Sequence, residues 1–404
     1  MNPARRRIFA MVFDDSDSED EFLVRRPRWI REREDHIHTL DDLDFITRYH
    51  VSKQTTLNVL QQIEDHLEYE TDKNFSISPI NQLLCALRFY ATGSFQVTVG
   101  DLGGFSQPTA HRIIHKVSNA IALLRPRHAF FPETDDQLLK TQTTFYRKAR
   151  FPKVVGAIDC THVRLAKSPG GDNAKMYRNR KGYFSLNVQA ICNANLEFMD
   201  IVARWPGSTH DSYIFNNCSR RAMFEQGRYG DAVLVGDSGY ACNRYMMTPL
   251  DNCYTAAENL YNESQIRTRN PIERLFGVWK RRFPVTAVGL RVSVPNCFAI
   301  IVATIVLHNI AVGAGEQVPH DDDELHLPAP WDVLLAQGQM GNDPQVQAAP
   351  RRENPNHRWR RAIIDNYFTI LTQQELYDRQ QEAERARQEE IPQAVTGGAA
   401  LYNI

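Results

Sequence analysis

Short apolar runs rich in β-branched residues alternate with longer amphipathic stretches between about residues 150 and 310. The run from Val154 to Ile158 stands between Pro152 and Asp159 and predicts a buried strand whose end presents a carboxylate. Later strands are predicted over residues 183–191, 198–203 and 232–235. The second and third form a hairpin, and a helix over about 208–224 leads to the fourth. This order is typical of an α/β domain with a mixed sheet.

Before this domain the pattern has helical rather than strand periodicity. After Gly93, a short helix around 99–102 leads through two glycines to a second helix, capped by Ser106 or Gln107. Two short helices joined by such a turn are typical of a helix-turn-helix. The exposed side of the second helix is predicted to carry Thr109, His111, Arg112, His115 and Lys116. This side suits contacts with DNA, where Arg112 and Lys116 would meet phosphates, and it equally suits an ordinary solvated helix.

Charge and composition divide the rest of the chain. The 404 residues carry a formal net charge of -1, but an acidic run at 14–21 is followed at once by a cluster of arginines. Predicted regions are a disordered tail (1–38), a helical region (39–140), the α/β domain (141–314) and a linker with a polar helix (315–404). The last region lacks a periodic apolar face, so its removal is predicted to leave stability unchanged.

Two further counts narrow the class of protein. The seven cysteines are scattered and include no C-x-x-C pair, which favours a reduced intracellular compartment over a disulfide framework or a structural zinc site. The longest apolar run, residues 298–305, is too short to span a bilayer, so no membrane contact is predicted.

Four acidic residues lie where predicted strands end or helices begin: Asp159, Asp211, Asp237 and Glu273. Each has a local structural explanation, namely a turn, a helix dipole, an Asp-Ser-Gly turn and a capping box headed by Asn270. Convergence of the strand ends would instead gather carboxylates that repel one another unless a cation neutralises them. Such hard oxygen ligands select Mg²⁺ or Mn²⁺. Two of these ions about 4 Å apart are typical of enzymes that cleave phosphodiesters, where one activates the attacking water or 3′-hydroxyl and the other stabilises the leaving oxygen.

Six segments of the chain resemble, in order, the successive blocks of the PIF/Harbinger transposase superfamily. They read GAIDCTH, YRNRKGYFSLNVQA, PGSTHDSYIF, LVGDSGY, PIERLFGVWKRRF and LHNIAV, and the resemblance covers residues 40–315. It implies an RNase H-like catalytic domain with a D-D-E metal site, preceded by a helix-turn-helix. It also implies two divalent metal ions, DNA as a partner, a separate Myb-like DNA-binding partner protein, and location in the nucleus and cytoplasm.

The resemblance assigns the first acid to Asp159 and the glutamate to Glu273. Asp211 and Asp237 both match acids of the family pattern. Asp237 lies 36 positions before Glu273, close to the familiar D-35-E interval, so it is taken as the core ligand and Asp211 as a fourth acid near the metals. Pro271 departs from the family pattern and predicts a kink or a new helix start. Candidate contacts to DNA phosphate are Lys280, Arg178 and Lys181.

Three functions are compatible with this sequence. A divalent-metal-dependent DNA nuclease is favoured, because all four acids are intact. A domesticated DNA-binding scaffold without cleavage is the alternative. A carboxylate-pair hydrolase acting on sugars would not need the basic residues of the 167–181 loop, which favour a polyanionic substrate. The sequence leaves open the DNA sequence recognised, strand transfer and the oligomeric state, a homo-oligomer included.

Overall fold

A five-stranded mixed sheet forms the centre of the computed structural model, which describes residues 35–69, 76–104, 106–316, 357–374 and 381. The strands are β1 (Val154–Arg164), β2 (Ser185–Cys192), β3 (Phe198–Pro206), β4 (Val233–Val235) and β5 (Met246–Met247). Their order is β3-β2-β1-β4-β5, with β1 antiparallel to β2 and parallel to β4. This mixed α/β arrangement confirms the predicted RNase H-like fold. Most of the tail predicted for 1–38 lies outside the described residues.

The first strand is longer than predicted. The antiparallel ladder with β2 continues from Asp159, opposite Ala190, as far as Arg164. Asp159 therefore lies inside a strand, and the turn expected just after it does not form. Strand β4 is shorter and stops at Val235, opposite Ala157, so Asp159 extends past the end of that parallel neighbour. The local pattern missed this because the added length comes from pairing with a distant segment.

Eight helices precede the sheet within the described residues. They are α1 (His36–Thr39), α2 (Asp42–Tyr49), α3 (Lys53–Leu67), α4 (Pro79–Thr92), α5 (Gln96–Leu102), α6 (Gln107–Ala122), α7 (Arg125–His128) and α8 (Asp135–Ala149). Helices α5 and α6 form the predicted helix-turn-helix pair. Ser106 is the N-cap residue of α6, as expected, and Ile113, Ile114 and Val117 lie on its buried side.

The helices that follow β3 differ from the prediction in two ways. They are α9 (Asp211–Asn216), α10 (Ser219–Glu225), α11 (Ala256–Arg282), α12 (Val285–Val288) and α13 (Val294–Gly313). The single helix expected over 208–224 is broken into α9 and α10. Conversely, α11 begins at a capping box of Thr255 and Glu258 and runs without interruption through Pro271. The expected helix start at Asn270 is therefore wrong, and Glu273 lies inside the helix.

Hydrophobic side chains cover both faces of the sheet. One face packs against α11 and α13, the other against α9 and α10. Helix α6 packs on α13, so the helical region and the α/β region share one core. By length and hydropathy α13 could cross a membrane, but 67% of its most apolar window is buried inside the protein, as in a core helix. The predicted domain boundaries stay predictions.

The described part of the C-terminal region packs on the core. Helix α14 (Arg358–Ile363) continues into a π-helical turn that ends at Phe368. The Phe368 side chain is fully buried, with its ring centroid 5.5 Å from Phe151 and 5.4 Å from Tyr261. The expectation that this region does not pack is therefore wrong for residues 357–374. The segment buries two apolar side chains one turn apart, Ile364 and Phe368, and a long-window periodicity does not detect them.

Candidate active site

Two of the predicted acids lie near each other, Asp159 on β1 and Asp237 just beyond the end of its parallel neighbour β4. Ala157 of β1 pairs with Val235, the last residue of β4. Asp159 and Asp237 each follow two positions after this pair, where an extended chain places the next side chain on the same face. Gly236 precedes Asp237, and a Cβ there would stand 2.9 Å from the Tyr240 ring. The strand end thus packs tightly. The two carboxylates are presented together beyond the end of β4.

Burial raises the pKa of both carboxyl groups, and repulsion by a neighbouring carboxylate adds to each shift, from Asp237 at Asp159 and from Asp211 at Asp237. The pKa of Asp159 rises to about 7, first because burial disfavours its charge and next because Asp237 repels it. Burial likewise raises the pKa of Asp237. Hydrogen bonds oppose these shifts, since the Cys160 N–H donates to Asp159 at 2.7 Å and the Gly239 N–H donates to Asp237 at 3.0 Å. The pKa values of Asp159 and Asp237 stay raised despite these hydrogen bonds, so additional positive charge would stabilise the two carboxylates.

Glu273 is joined to this pair by Arg269, a residue that the sequence interpretation missed. One guanidinium nitrogen of Arg269 lies 3.3 Å from Asp159 Oδ2, and another lies 2.5 Å from Glu273 Oε1. Arg269 and Glu273 are four positions apart on α11, hence on one side of it. That spacing was the available signal, and a prediction of continuous helix through Pro271 would have revealed it. The arginine also lowers the pKa of Asp237.

Asp211, the first residue of α9, makes its hydrogen bond to the sheet through strand β2. Its carboxylate accepts a hydrogen bond at 2.8 Å from Asn187, a β2 residue paired with His162. His162 is three positions from Asp159 and so lies on the opposite face of β1. Of the charges that raise the pKa of Asp159, Asp211 has a smaller effect than Asp237. The geometry thus favours Asp237 as the partner of Asp159, and the metal-binding role of Asp211 stays a prediction.

The donor chemistry fits a divalent cation, although the described residues do not form a finished metal site. No group of three or more His, Cys, Asp or Glu side chains in the described ranges is close enough to hold a metal ion. Asp159 and Asp237 are nevertheless desolvated oxygen donors that repel each other, which a hard cation would relieve. The residues that would hold it are Asp159, Asp237 and Glu273, whose positive counter-charge in this structure is Arg269.

Basic side chains surround the second half of β1. Lys280, a predicted contact to DNA phosphate, has its ammonium turned to β1, where it donates to Thr161 Oγ1 at 2.6 Å and to the His162 carbonyl at 3.1 Å. Burial lowers the pKa of Lys280 to about 8, and repulsion by Lys181 contributes. Burial, then Lys280, Lys181 and Arg180, lower the pKa of His162 to about 4, against an opposing effect of Asp211. The 167–181 loop thus brings positive charge close to the acids.

The other predicted phosphate contacts lie further out. Arg178 is exposed, and its Nε donates to the Gly182 carbonyl at 3.0 Å, which fixes its stem within the loop. On α6, Arg112 is exposed, as expected. Lys116 instead donates to the Leu67 carbonyl at 2.8 Å at the end of α3. The ammonium of Lys116 therefore serves an internal contact, and α6 offers DNA less charge than its sequence indicates.

Comparison with known proteins agrees with this geometry. Residues 158–309 match the family described as DDE superfamily endonuclease. The mouse and human proteins named Putative nuclease HARBI1 are each 33% identical over 285 residues, covering 69% of this chain and 81% of those proteins. The Arabidopsis thaliana protein named Protein ALP1-like is 24% identical over 272 residues, covering 61% of this chain and 66% of that protein. No solved structure matches the chain.

The RNase H-like sheet, the acids on β1 and beyond β4, and the match over 158–309 define a protein with a DDE-type endonuclease domain. At this level the predicted class is confirmed. The chain belongs to the Harbinger transposase-derived nuclease family, which includes the mouse and human HARBI1 proteins.

Proposed function

We propose that this protein is a divalent-metal-dependent endonuclease that cleaves DNA phosphodiester bonds, with Asp159, Asp237 and Glu273 as ligands of two Mg²⁺ or Mn²⁺ ions. The observation that carries the proposal is the placement of Asp159 on β1 next to the end of β4, just beyond which lies Asp237, with Glu273 linked to Asp159 through Arg269. Two metal ions bound there would activate a water or 3′-hydroxyl and stabilise the leaving oxygen.

The chain's own residues supply rigidity and substrate attraction. Gln265 donates to the Gly236 carbonyl at 2.7 Å, which fixes α11 against the strand end that presents Asp237. Asp159 is held by a strand that pairs with β2 from Ala157 to Arg164. The positive charges of Lys280 and Lys181 lie just beyond the acids and favour a phosphodiester there over a neutral substrate.

Metal titration of DNA nicking tests the proposal. Asp159→Asn, Asp237→Asn and Glu273→Gln should each reduce nicking of supercoiled DNA to background with Mg²⁺ or Mn²⁺, because each removes an anionic ligand. Asp172→Asn is the matched control, since this acid is exposed in the loop between β1 and β2. Asp211→Asn should raise the Mg²⁺ concentration required only if that carboxylate also contacts metal. A parent protein that nicks DNA with neither ion contradicts the nuclease assignment.

A DNA-binding scaffold without cleavage is the second candidate. The observation that favours it is that Arg269 already neutralises Asp159 and Glu273 without a metal ion. In that case the acid variants should bind DNA like the parent while the parent shows no metal-dependent nicking.

The partners and location are also proposals. We propose contact with DNA through the exposed side of α6, a Myb-like protein as a further DNA-binding partner, and location in the nucleus and cytoplasm. The helix-turn-helix pair supports the DNA contact. Imaging of the tagged full chain, with and without the partner, tests the location.

A further inference from the structure

Arg269 lies between two carboxylates that the proposed function assigns to metal. Its side chain is 19% exposed, and those of Asp159 and Glu273 are 18% and 34% exposed. The guanidinium uses one nitrogen for each acid, so a single cation joins β1 to α11. Its charge also holds down the pKa values of Asp159 and Asp237, against burial and repulsion. Arg269 thus acts on all three proposed ligands.

A second arginine on the same helix shows why this contact is unusual. Arg267 also pairs with a glutamate four positions away, Glu263, but those side chains are 66% and 54% exposed. A solvated pair of that kind contributes little to stability, because water and salt screen it. Arg269 instead bridges two partly buried acids on two different elements, where removal of the cation leaves carboxylates uncompensated.

The bridging position leads to a role for Arg269 that the family match does not supply. We propose that Arg269 is a resident counter-cation of the acid site, which stabilises Asp159 and Glu273 without metal and competes with the divalent ion for their oxygens. The competing half of this inference rests on the proposed function, whereas the neutralising half does not. Because the guanidinium contacts Asp159 Oδ2 and Glu273 Oε1 directly, an ion bound to those atoms requires it to withdraw. Arg269 then sets the metal concentration at which the site fills.

The neutralising half is tested on the full-length protein in chelator, without metal. Arg269→Gln should lower the melting temperature by about 4 °C or more, since two partly buried carboxylates lose their cation. In the Asp159→Asn background the same change should cost clearly less, because one of the two carboxylates that Arg269 neutralises is gone. Arg267→Gln is the matched control and should change little in either background. Equal losses for Arg269→Gln in both backgrounds overturn the neutralising role.

The competing half is tested by Mn²⁺ titration, followed through the melting temperature. Arg269→Gln should reach its half-maximal Mn²⁺-induced rise at a concentration at least about fivefold below the parent. Arg269→Lys keeps the charge but has a single side-chain nitrogen for the two acids, so its Mn²⁺ midpoint should fall between those of the parent and Arg269→Gln. This variant still tests competition if Arg269→Gln folds poorly. A midpoint in Arg269→Gln equal to or above that of the parent refutes competition. A parent without any Mn²⁺ response refutes the metal site and competition together, while the chelator experiment decides the neutralising role on its own.

Discussion

At the scale of single residues, the second half of β1 shows how position changes the role of a charged group. Lys280 lies seven positions after Glu273 on α11 and was predicted to contact DNA phosphate. Its ammonium instead donates to Thr161 and His162 of β1. Asn187 was not predicted at all. Its side-chain amide donates to Asp211 at 2.8 Å and so fixes the position of that carboxylate against β2.

Lys280 provides a prediction about pH. Its folded-state pKa is lowered to about 8, whereas an unfolded lysine titrates near ~10.4. Between these values the unfolded chain binds more protons, so this lysine contributes stability that rises with pH across that window. Below pH ~8 both states are charged, and the cost of burying the charge is fully present.

Lys280→Met should therefore remove a rise in melting temperature between pH 8 and pH 10, relative to the parent. The measurement is the difference between the two melting-temperature profiles. Lys175→Met, at an exposed lysine of the basic loop, should leave the profile parallel to the parent. Parallel profiles for Lys280→Met itself would contradict the buried ammonium.

At the scale of elements, the C-terminal segment is held by both charge and packing. Arg360 is buried and donates to the carbonyls of Thr248 and Pro249, the latter at 2.8 Å, while Arg361 pairs with Glu258 at 2.6 Å. Glu258 is also the capping-box residue of α11. The segment thus braces the start of the helix that carries Glu273.

Phe368→Ala should lower the free energy of unfolding by about 3–5 kcal/mol, because it empties a fully buried ring site beside Phe151 and Tyr261. Chemical denaturation of the full chain measures this loss. Ile370→Ala, at an exposed position two residues on, is the control and should change stability little. An unchanged unfolding free energy for Phe368→Ala would show that the segment does not dock in solution.

Helix α6 gives a prediction that separates DNA contact from structure. Arg112→Gln should lower the slope of log affinity for DNA against log salt by about 0.9, the effect of one lost phosphate contact. Lys116→Gln should instead reduce stability and leave the slope unchanged, since its ammonium holds the end of α3. Binding titrations at several salt concentrations, beside thermal melts, distinguish the two variants. A slope that falls only in Lys116→Gln would reverse this assignment.

At the scale of the whole molecule, contacts cross between the helical region and the α/β region at several points. Asn309 donates to the His128 carbonyl at 2.7 Å, and Asn296 lies 3.1 Å from His115. Ile300 and Ile301 of α13 are fully buried in the shared core, where α6 packs on α13. Exposing that side of α13 would uncover a large apolar surface.

A chain that begins at residue 141 should therefore be largely insoluble, or should melt without cooperativity, whereas the full-length protein should unfold in one transition. Co-expression with a separate 35–140 fragment should restore part of the soluble protein, because it covers α13 again. Soluble yield and calorimetry of the three preparations are the measurements. A cooperative melt of the short chain at the parent's temperature would show that the two regions fold independently.

The sequence by itself determined the α/β order of elements and the pair of helices α5 and α6, and it singled out the acids that stay predicted ligands. Alternation and helical periodicity report which face of an element is buried, and Asp159, Asp237 and Glu273 occur in recognisable motifs. Local caps were also readable, as the start of α6 shows. These features depend on neighbours within a few positions.

The tertiary structure decided what depends on distant partners. Pairing with β2 carried β1 past Asp159, and the hydrogen bond from Asn187 of β2 fixed the position of Asp211. The continuity of α11 through Pro271 made Arg269 and Glu273 neighbours on one side of the helix. Strand register, helix continuity and docking of the C-terminal segment all arise from contacts between residues far apart in the chain, and local patterns do not encode those contacts.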